Sequence, residues 1–415
     1  MELNITKLSG TEQEAEVKLD WNELEPYFEE AYKKFRAKAE IKGFRKGKAP
    51  MELIKRQFGE QIEYEALDDV VNNVYQNLVK DKKIEPVGTP ELVDIDYKRG
   101  ESLTFKIKYE IIPDFQISNY EGLEIEKIVH TVDDKEVENE IKRLLIANAS
   151  YEEADEVKGE LYRVTVDLQG VDQNNLPVLG KRSEDVVIDL DDDSVVKNLR
   201  ERLLRAKKGD EFTIEITIDN KPEKVRVFVK KIEKKILPEL NDEFASKVTG
   251  GKVNSVNELK DHLKTELQKW WDEYSDIKFY DNIIIEIVRT NDFPVPESLV
   301  EDFIRSMLDE EKSKYPDGKL PENFDEQLFR QKKKADAVFS AKWYIIKNKI
   351  AQIEGIELTD EDFEKLAEED SAEIGIEKEK LLSFYKSSEH IREKILNRKV
   401  LRFLKDKVKV VERFV

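Results

Sequence analysis

The chain has 415 residues, 39% of them hydrophobic and 39% charged, with no cysteine and a formal net charge of −20. That length exceeds one ordinary core and calls for two to four domains; so high a charged fraction implies much surface for little core and favours an elongated, helix-rich architecture over a compact enzyme. Disulfide and thiolate chemistry are excluded, and no run approaches the roughly 18 apolar residues of a membrane span.

The N-terminus, MELNITKLSG, lacks a charged stretch followed by an apolar run, so a soluble, unexported, cytoplasmic protein is expected. Residues 1–19 alternate (Leu3, Ile5, then Ala15, Val17, Leu19) around Ser9-Gly10 and predict a β-hairpin. Leu24, Phe28, Ala31, Phe35 and Ala39 then recur at helical spacing, and Leu53, Ile54, Phe58, Ile62 and Ala66 do the same. Asp20 followed by Glu23 reads as an N-cap with its capping-box partner, and Pro50 suits the first turn of the second helix. Between the helices lies IKGFRKGKAP, residues 41–50, with four basic side chains around a lone phenylalanine. A core segment would not tolerate that charge and a linker has no use for the ring, so the stretch predicts the exposed tip of a helical hairpin, bent at Gly43 and Gly47.

Strands are expected around 91–97 and 102–110, completing an α+β domain over 1–113. Residues 114–150 hold a short extended piece, LEIEKIV, and a helix from about 133 to 147; they read as an arm packing with the C-terminal domain. From Gly159 the character becomes β: LYRVTVDL, DVVIDL, FTIEITI and KVRVFVKKI alternate, with VVKNLRERLLRA a helix between the second and third, in a small domain over 151–236. Beyond 237 the chain reads as helical, with helices over 255–290, 297–314, 323–353, 360–369 and 386–407 broken by FPVP, YPDG, EGIEL and EIGIE. The fold class is therefore α+β and multidomain, ending in an all-α region with arms over 237–415.

Charge is unevenly placed. Residues 33–56 carry ten Lys or Arg against two Glu, a net of +8, which leaves −28 for the rest. An acidic body with one basic tip turns that tip toward polyanions, and nucleic acid or a protein seated on it is the natural partner.

Catalytic patterns are missing. His130, His262 and His390 are scattered, none beside a carboxylate at metal-ligand spacing, and no cofactor is expected. GFRKGKAP is no nucleotide loop, because no strand feeds it and no Gly-Lys-Ser/Thr closes it. DLDDDS (189–194) fails as a calcium loop, since Ser194 stands where glycine is needed and Arg200 where glutamate is; its aspartates are expected to start the helix that follows.

The motif Gly43-Phe44-Arg45-Lys46-Gly47-Lys48-Ala49-Pro50 resembles the signature of trigger factors, bacterial ribosome-associated chaperones. LPELNDEF (237–244) is similar to the junction between that family's isomerase and helical domains, and FPVPESLVEDFI (293–304) and FYKSSEHIREKILNRKVLRFLKDKVKV (384–410) resemble its arm helices. The resemblance spans the chain. It implies a ribosome-binding domain with a long helical hairpin, a small FKBP-like domain and an all-α chaperone domain with two arms. It also implies docking at the exit tunnel of the large subunit, on ribosomal protein and rRNA, through Gly43, Phe44, Arg45, Lys46, Gly47, Lys48 and Pro50. The clients would be nascent or unfolded polypeptides, held without ATP, and the chain would form a homodimer off the ribosome. Val415 comes early for the family, so a short C-terminal tail is expected to be missing. Client surfaces are sought among Trp270, Trp271, Tyr274, Phe279 and Tyr280, then Phe293, Phe303, Phe324, Phe329, Phe339, Trp343 and Tyr344, most of which read as inter-helix packing.

The alternative is an active peptidyl-prolyl isomerase with accessory arms. Against it, residues 158–235 offer only Tyr162, Phe212 and Phe228 as aromatics. SVVKNLRERLL stands where active members carry an Ile-Pro-Gly-like entry, and the flap is cut to TIDNKPEK. A degenerate, inactive FKBP-like domain is expected.

Overall fold

The computed structural model describes residues 1–218 and 221–415. Contacts divide the chain into two compact units, one of residues 1–127 with 278–412 and the other of 128–277 with 413–415.

The first unit opens with β1 (Glu2–Lys7) and β2 (Glu12–Asp20), the expected hairpin. Helix α1 (Trp21–Lys38) starts through a closed capping box: Asp20 accepts from the Glu23 amide at 3.1 Å, and Glu23 accepts from the Asp20 amide at 3.1 Å. Helix α2 (Met51–Lys82) returns, followed by β3 (Pro86–Lys98) and β4 (Ser102–Ile111). The antiparallel sheet runs β1-β2-β4-β3. Its register sets Ala15 opposite Ile107, Val17 opposite Phe105 and Leu19 opposite Leu103. These buried rows meet Leu24 and Phe28 of α1 and Ile54, Ile62, Val70 and Val74 of α2 in one core.

A buried carboxylate pins the hairpin to the sheet. Glu63 of α2 accepts the Tyr32 hydroxyl from α1, the Tyr97 hydroxyl from β3 at 2.7 Å and the Arg99 Nε–H at 2.7 Å. Burial pushes its pKa up, but the hydrogen bonds from Arg99, Tyr32 and Tyr97 outweigh that and hold the carboxyl below the usual range.

Strand β5 (Glu124–Val129) leads into α3 (Asp134–Ala147), capped by its own Asp133/Glu136 box. The second unit then builds a β-rich domain from β6 (Ser150–Ala154), β7 (Tyr162–Val171), β8 (Pro177–Asp189), α4 (Lys197–Leu203), β9 (Glu211–Ile218) and β10 (Lys221–Ile236). Sheet order is β6-β10-β7-β8, with β9 on β10. Val164, Val166, Leu190, Leu203, Val227 and Val229 form its core. Strand β6 is an addition to the expected strands.

The expectation that the aspartates of DLDDDS start the next helix is corrected. Helix α4 begins after Val196 with no side-chain cap. Asp189 and Asp191 instead hold the buried Lys235 ammonium, Asp189 at 2.8 Å. Asp192 turns back onto the Ser194 amide at 2.8 Å. A buried ammonium without counter-ions costs far more than a partial helix charge returns, so the carboxylates go to the lysine. Arg163, bonded to both Asp189 oxygens at 2.9 Å, holds that carboxyl below its ordinary range, with Lys235 adding to the effect.

The remaining elements are α5 (Asp242–Val248), α6 (Val256–Thr290), α7 (Glu297–Ser313), α8 (Glu326–Glu354), α9 (Asp360–Ile374), α10 (Lys378–Ser387), α11 (Glu389–Lys407) and β11 (Lys409–Phe414). In the second unit, α3 packs Val137 and Ile141 against Leu263, Leu267 and Trp271 of α6. In the first, Phe279, Ile283 and Ile287 of α6 join Ile345, Ile346 and Ile350 of α8 and Val400 and Leu404 of α11. The helical region closes on a strand, because β11 pairs with β5. Helix α7 follows Pro296 and has no cap of its own; the Glu110 carboxylate of β4 accepts the Glu297 and Ser298 amides at 2.9 and 2.8 Å.

Candidate functional site

Between α1 and α2, residues 41–48 form two successive turns. Phe44 donates its amide to the Ile41 carbonyl at 3.0 Å, and Lys48 donates to Arg45 at 2.9 Å. Each turn has glycine at its third position, Gly43 at φ +93° and Gly47 at φ +78°, a conformation other residues adopt only with strain. Nothing lies within 4 Å of where a Gly43 side chain would start, so glycine is required there by the backbone and not by space.

The turns sort the motif. Ala49 is buried and anchors the return, while Pro50 is the N-cap residue of α2. Phe44 projects with 42% of its surface exposed, a large value for a ring that size. Lys42, Arg45, Lys46 and Lys48 are exposed, and none closes an ion pair among the described residues. Below them Phe35 and Phe58 meet at 5.4 Å, and Lys55 binds Glu29 across the two helices, so the tip is carried on a braced stem. Its chemistry is that of a plug: one apolar ring among uncommitted cations, able to enter a shallow pocket while pairing with carboxylate or phosphate.

A second feature lies in the helical part of the same unit. A cleft of 730 Å³ is walled by Ile284, Leu299, Phe303, Phe339, Trp343 and Tyr344, with Asp302, Glu389 and Glu393 among its polar residues. Its polar groups are largely committed: Trp343 Nε1–H donates to Asn397 at 2.8 Å, and Lys347 binds Glu393. The ring faces remain. Of the other aromatics in the sequence, Phe279 and Phe293 are core, and Phe324 and Phe329 pair with each other at 5.5 Å. Trp270 is 54% exposed and stacks on Tyr274.

In the β-rich domain Tyr162, Phe212 and Phe228 do not converge. Tyr162 and Phe212 lie with the core, opposite Lys234 and Val227 of β10 respectively, about 20 Å of strand apart at roughly 3.3 Å per residue. Phe228 follows the buried Val227 and is exposed on the other face. Arg202 covers the Phe212 ring at 5.0 Å. The cavity beside β7, β9 and β10 is lined by Asp172, Gln173, Lys181, Glu215, Glu223 and Lys224, without an aromatic. Asp219 and Asn220, the middle of the TIDNKPEK flap, lie outside the described residues.

His130 packs on Trp271 at 4.1 Å, between the Glu136 carboxylate and the Val415 carbonyl, each at 2.8 Å. Among the described residues no group of three or more His, Cys, Asp or Glu could hold a metal ion, and no helix is long and apolar enough to cross a membrane.

Two family models match the chain: bacterial trigger factor protein over residues 1–144, and bacterial trigger factor protein C-terminus over 255–406. The trigger factor of Caldicellulosiruptor saccharolyticus is 30% identical over 99% of this chain and 98% of its own length, and that of Salinibacter ruber 29% identical over 99% and 94%. A solved structure described as "Promiscuous Substrate Recognition in Folding and Assembly Activities of the Trigger Factor Chaperone" shares the fold, with a TM-score of 0.54 at 23% identity over 98% of this chain and all of that one. The chain belongs to the bacterial trigger factor family.

Proposed function

We propose that this chain is an ATP-independent, ribosome-associated chaperone whose hairpin tip docks beside the polypeptide exit tunnel of the large subunit. Gly43 and Gly47 shape the contact, Phe44 enters a pocket, Arg45, Lys46 and Lys48 pair with ribosomal protein and rRNA, and Pro50 fixes the return into α2. The observation that carries this reading is the exposed Phe44 ring among unpaired cations on a braced stem. Burying the ring contributes about 1.5–3 kcal/mol and each exposed ion pair about 0–1 kcal/mol, which after the cost of association suits roughly micromolar binding near −8 kcal/mol. A factor that must dock and leave needs no more. The chain works in the cytoplasm and pairs with a second copy when off the ribosome. Its parts divide as 1–113 for docking, 114–150 as an arm, 151–236 as an FKBP-like spacer and 237–415 as the chaperone body. Co-sedimentation with purified ribosomes tests the assignment.

The cleft walled by Phe303, Phe339 and Trp343 is the client surface within the helical region, where aromatic faces hold unfolded segments by many weak contacts. The full chain is expected to suppress aggregation of an unfolded protein without nucleotide. Phe303→Ser with Phe339→Ser should lose most of that suppression. Light scattering decides: a correctly folded double variant as effective as the wild type rules the cleft out.

The chain is a poor prolyl isomerase or none. Lowering an imide barrier of about 18–20 kcal/mol requires a dry aromatic pocket around the proline ring. The separation of Tyr162, Phe212 and Phe228 supports the reading that no such pocket forms. In a protease-free proline-peptide assay the full chain should show no acceleration above the uncatalysed rate; turnover abolished by Phe212→Ala would overturn this.

A further inference from the structure

Just below the tip, the two helices of the hairpin part into a groove of 510 Å³ whose floor is set by Phe35, Ile41 and Phe58. All three are only half-buried, although they lie against the domain's core. The walls carry opposite charge. Lys34 and Lys38, one turn apart, edge the α1 side, and Glu65 and Asp69, one turn apart, edge the α2 side. Elsewhere between the same two helices, Lys55 and Glu29 close an ion pair. Across the groove no such pair forms among the described residues: Lys34 reaches Glu30 of its own helix at 3.1 Å, Glu65 takes the Gln61 amide at 2.8 Å, and Lys38 and Asp69 close no ion pair.

We propose that this groove is a second docking surface, continuous with the tip, that receives an amphipathic protein segment of the ribosome. The segment carries an apolar stripe, acidic side chains facing Lys34 and Lys38, and basic side chains facing Glu65 and Asp69. The inference rests on the tip being the docking element and adds how the site divides its partners. RNA does not suit the groove, because Glu40, Glu65 and Asp69 repel phosphate and the floor offers apolar surface instead of a stacking platform open on both sides. The tip has the reverse character, with four exposed cations and no acid between Lys42 and Lys48. Continuity is direct, since Ile41 both lines the groove and accepts the hydrogen bond that closes the first tip turn. A segment lying in the groove would leave toward Phe44. Groove recognition would thus fix orientation, while the tip supplies phosphate contacts that any rRNA surface could satisfy.

Charge reversal of the acidic wall separates this from electrostatic docking. Glu65→Lys with Asp69→Lys makes the chain four charges more positive at exposed positions, so attraction to rRNA alone would tighten binding to purified ribosomes. The groove proposal expects binding weaker by about tenfold at unchanged melting temperature. Binding equal to wild type or tighter overturns it. Should the double variant melt lower, Ile41→Asp, placed in the turn beyond α1, gives the same reading on the floor. The chain has no cysteine, so Glu40→Cys carries a single thiol for a benzophenone cross-linker. On purified ribosomes it should label a ribosomal protein; labelling of rRNA alone, or none, counts against the groove. The tip variant Phe44→Ala, Arg45→Ala, Lys46→Ala runs in parallel. If it still binds, the docking reading itself has failed, whereas loss at the tip with wild-type binding of the wall variant refutes the groove alone.

Discussion

Replacing Phe44, Arg45 and Lys46 together with alanine is expected to remove the chain from the ribosomal pellet while leaving circular dichroism and melting unchanged. Phe44 is exposed, and neither cation closes an ion pair within the described chain, so the fold gives up nothing. Docking gives up much: a buried ring at about 1.5–3 kcal/mol and two ion pairs at about 0–1 kcal/mol each amount to a loss of roughly tenfold to several thousandfold in affinity. From a micromolar start, that leaves roughly a tenth bound or less at about 1 μM ribosomes. Wild-type binding should itself weaken as salt rises, because exposed contacts are screened beyond about 10 Å at 0.1 M. Co-sedimentation of the triple variant at the wild-type level would refute the docking assignment.

Glu63→Ala should cost the first domain about 3–5 kcal/mol, the usual result of removing one partner from a buried, hydrogen-bonded charge cluster. The buried Tyr32 hydroxyl loses its acceptor, Arg99 loses its counter-ion, and a void opens between α1, α2 and β3. Hydrogen exchange of peptides from α2 in the full chain reports this locally: exchange at the wild-type rate would show that the cluster contributes nothing. Its pH dependence has a fixed sign. The folded pKa of Glu63 is lowered, so its contribution is complete above the ordinary carboxylate value of about 4.3 and fades as pH falls through the lower folded value. Glu63→Gln should therefore flatten the acid limb of the stability curve and leave the neutral region with a constant deficit.

What was legible in the sequence was local. The Asp20/Glu23 box, the glycine pair at 43 and 47 and the two apolar stripes specify a hairpin with a bent tip from interactions a few residues long. The motif's residues could be named because turn chemistry and exposed charge need no knowledge of distant neighbours. Glu63 was not legible: its partners Tyr32, Tyr97 and Arg99 stand 31, 34 and 36 residues away, and a glutamate beside Ile62 reads as a solvated helix position. The cap on α7 was hidden in the same way, since Glu110 reaches it from 187 residues upstream. The aspartates of DLDDDS were misread because a helix follows them, whereas Lys235, which claims Asp189 and Asp191, lies on a distant strand. The alternation in KVKVVERFV was a usable signal for β11, masked by the lysine-rich helix before it.

The pairing of β11 with β5 bears on how this protein is itself made. Lys409 bonds Glu124 across 285 residues of chain, so at about 5–20 residues per second β5 waits roughly 15–60 s for its partner strand to be synthesised. Residues 128–277 have time to fold meanwhile, while the first unit still lacks the helices from 278 onward. Newly made copies should thus pass through a stage in which the four-stranded sheet and the helical hairpin are made and β5 still offers an open edge. A chaperone with this chain order can engage a ribosome before its own last strand exists.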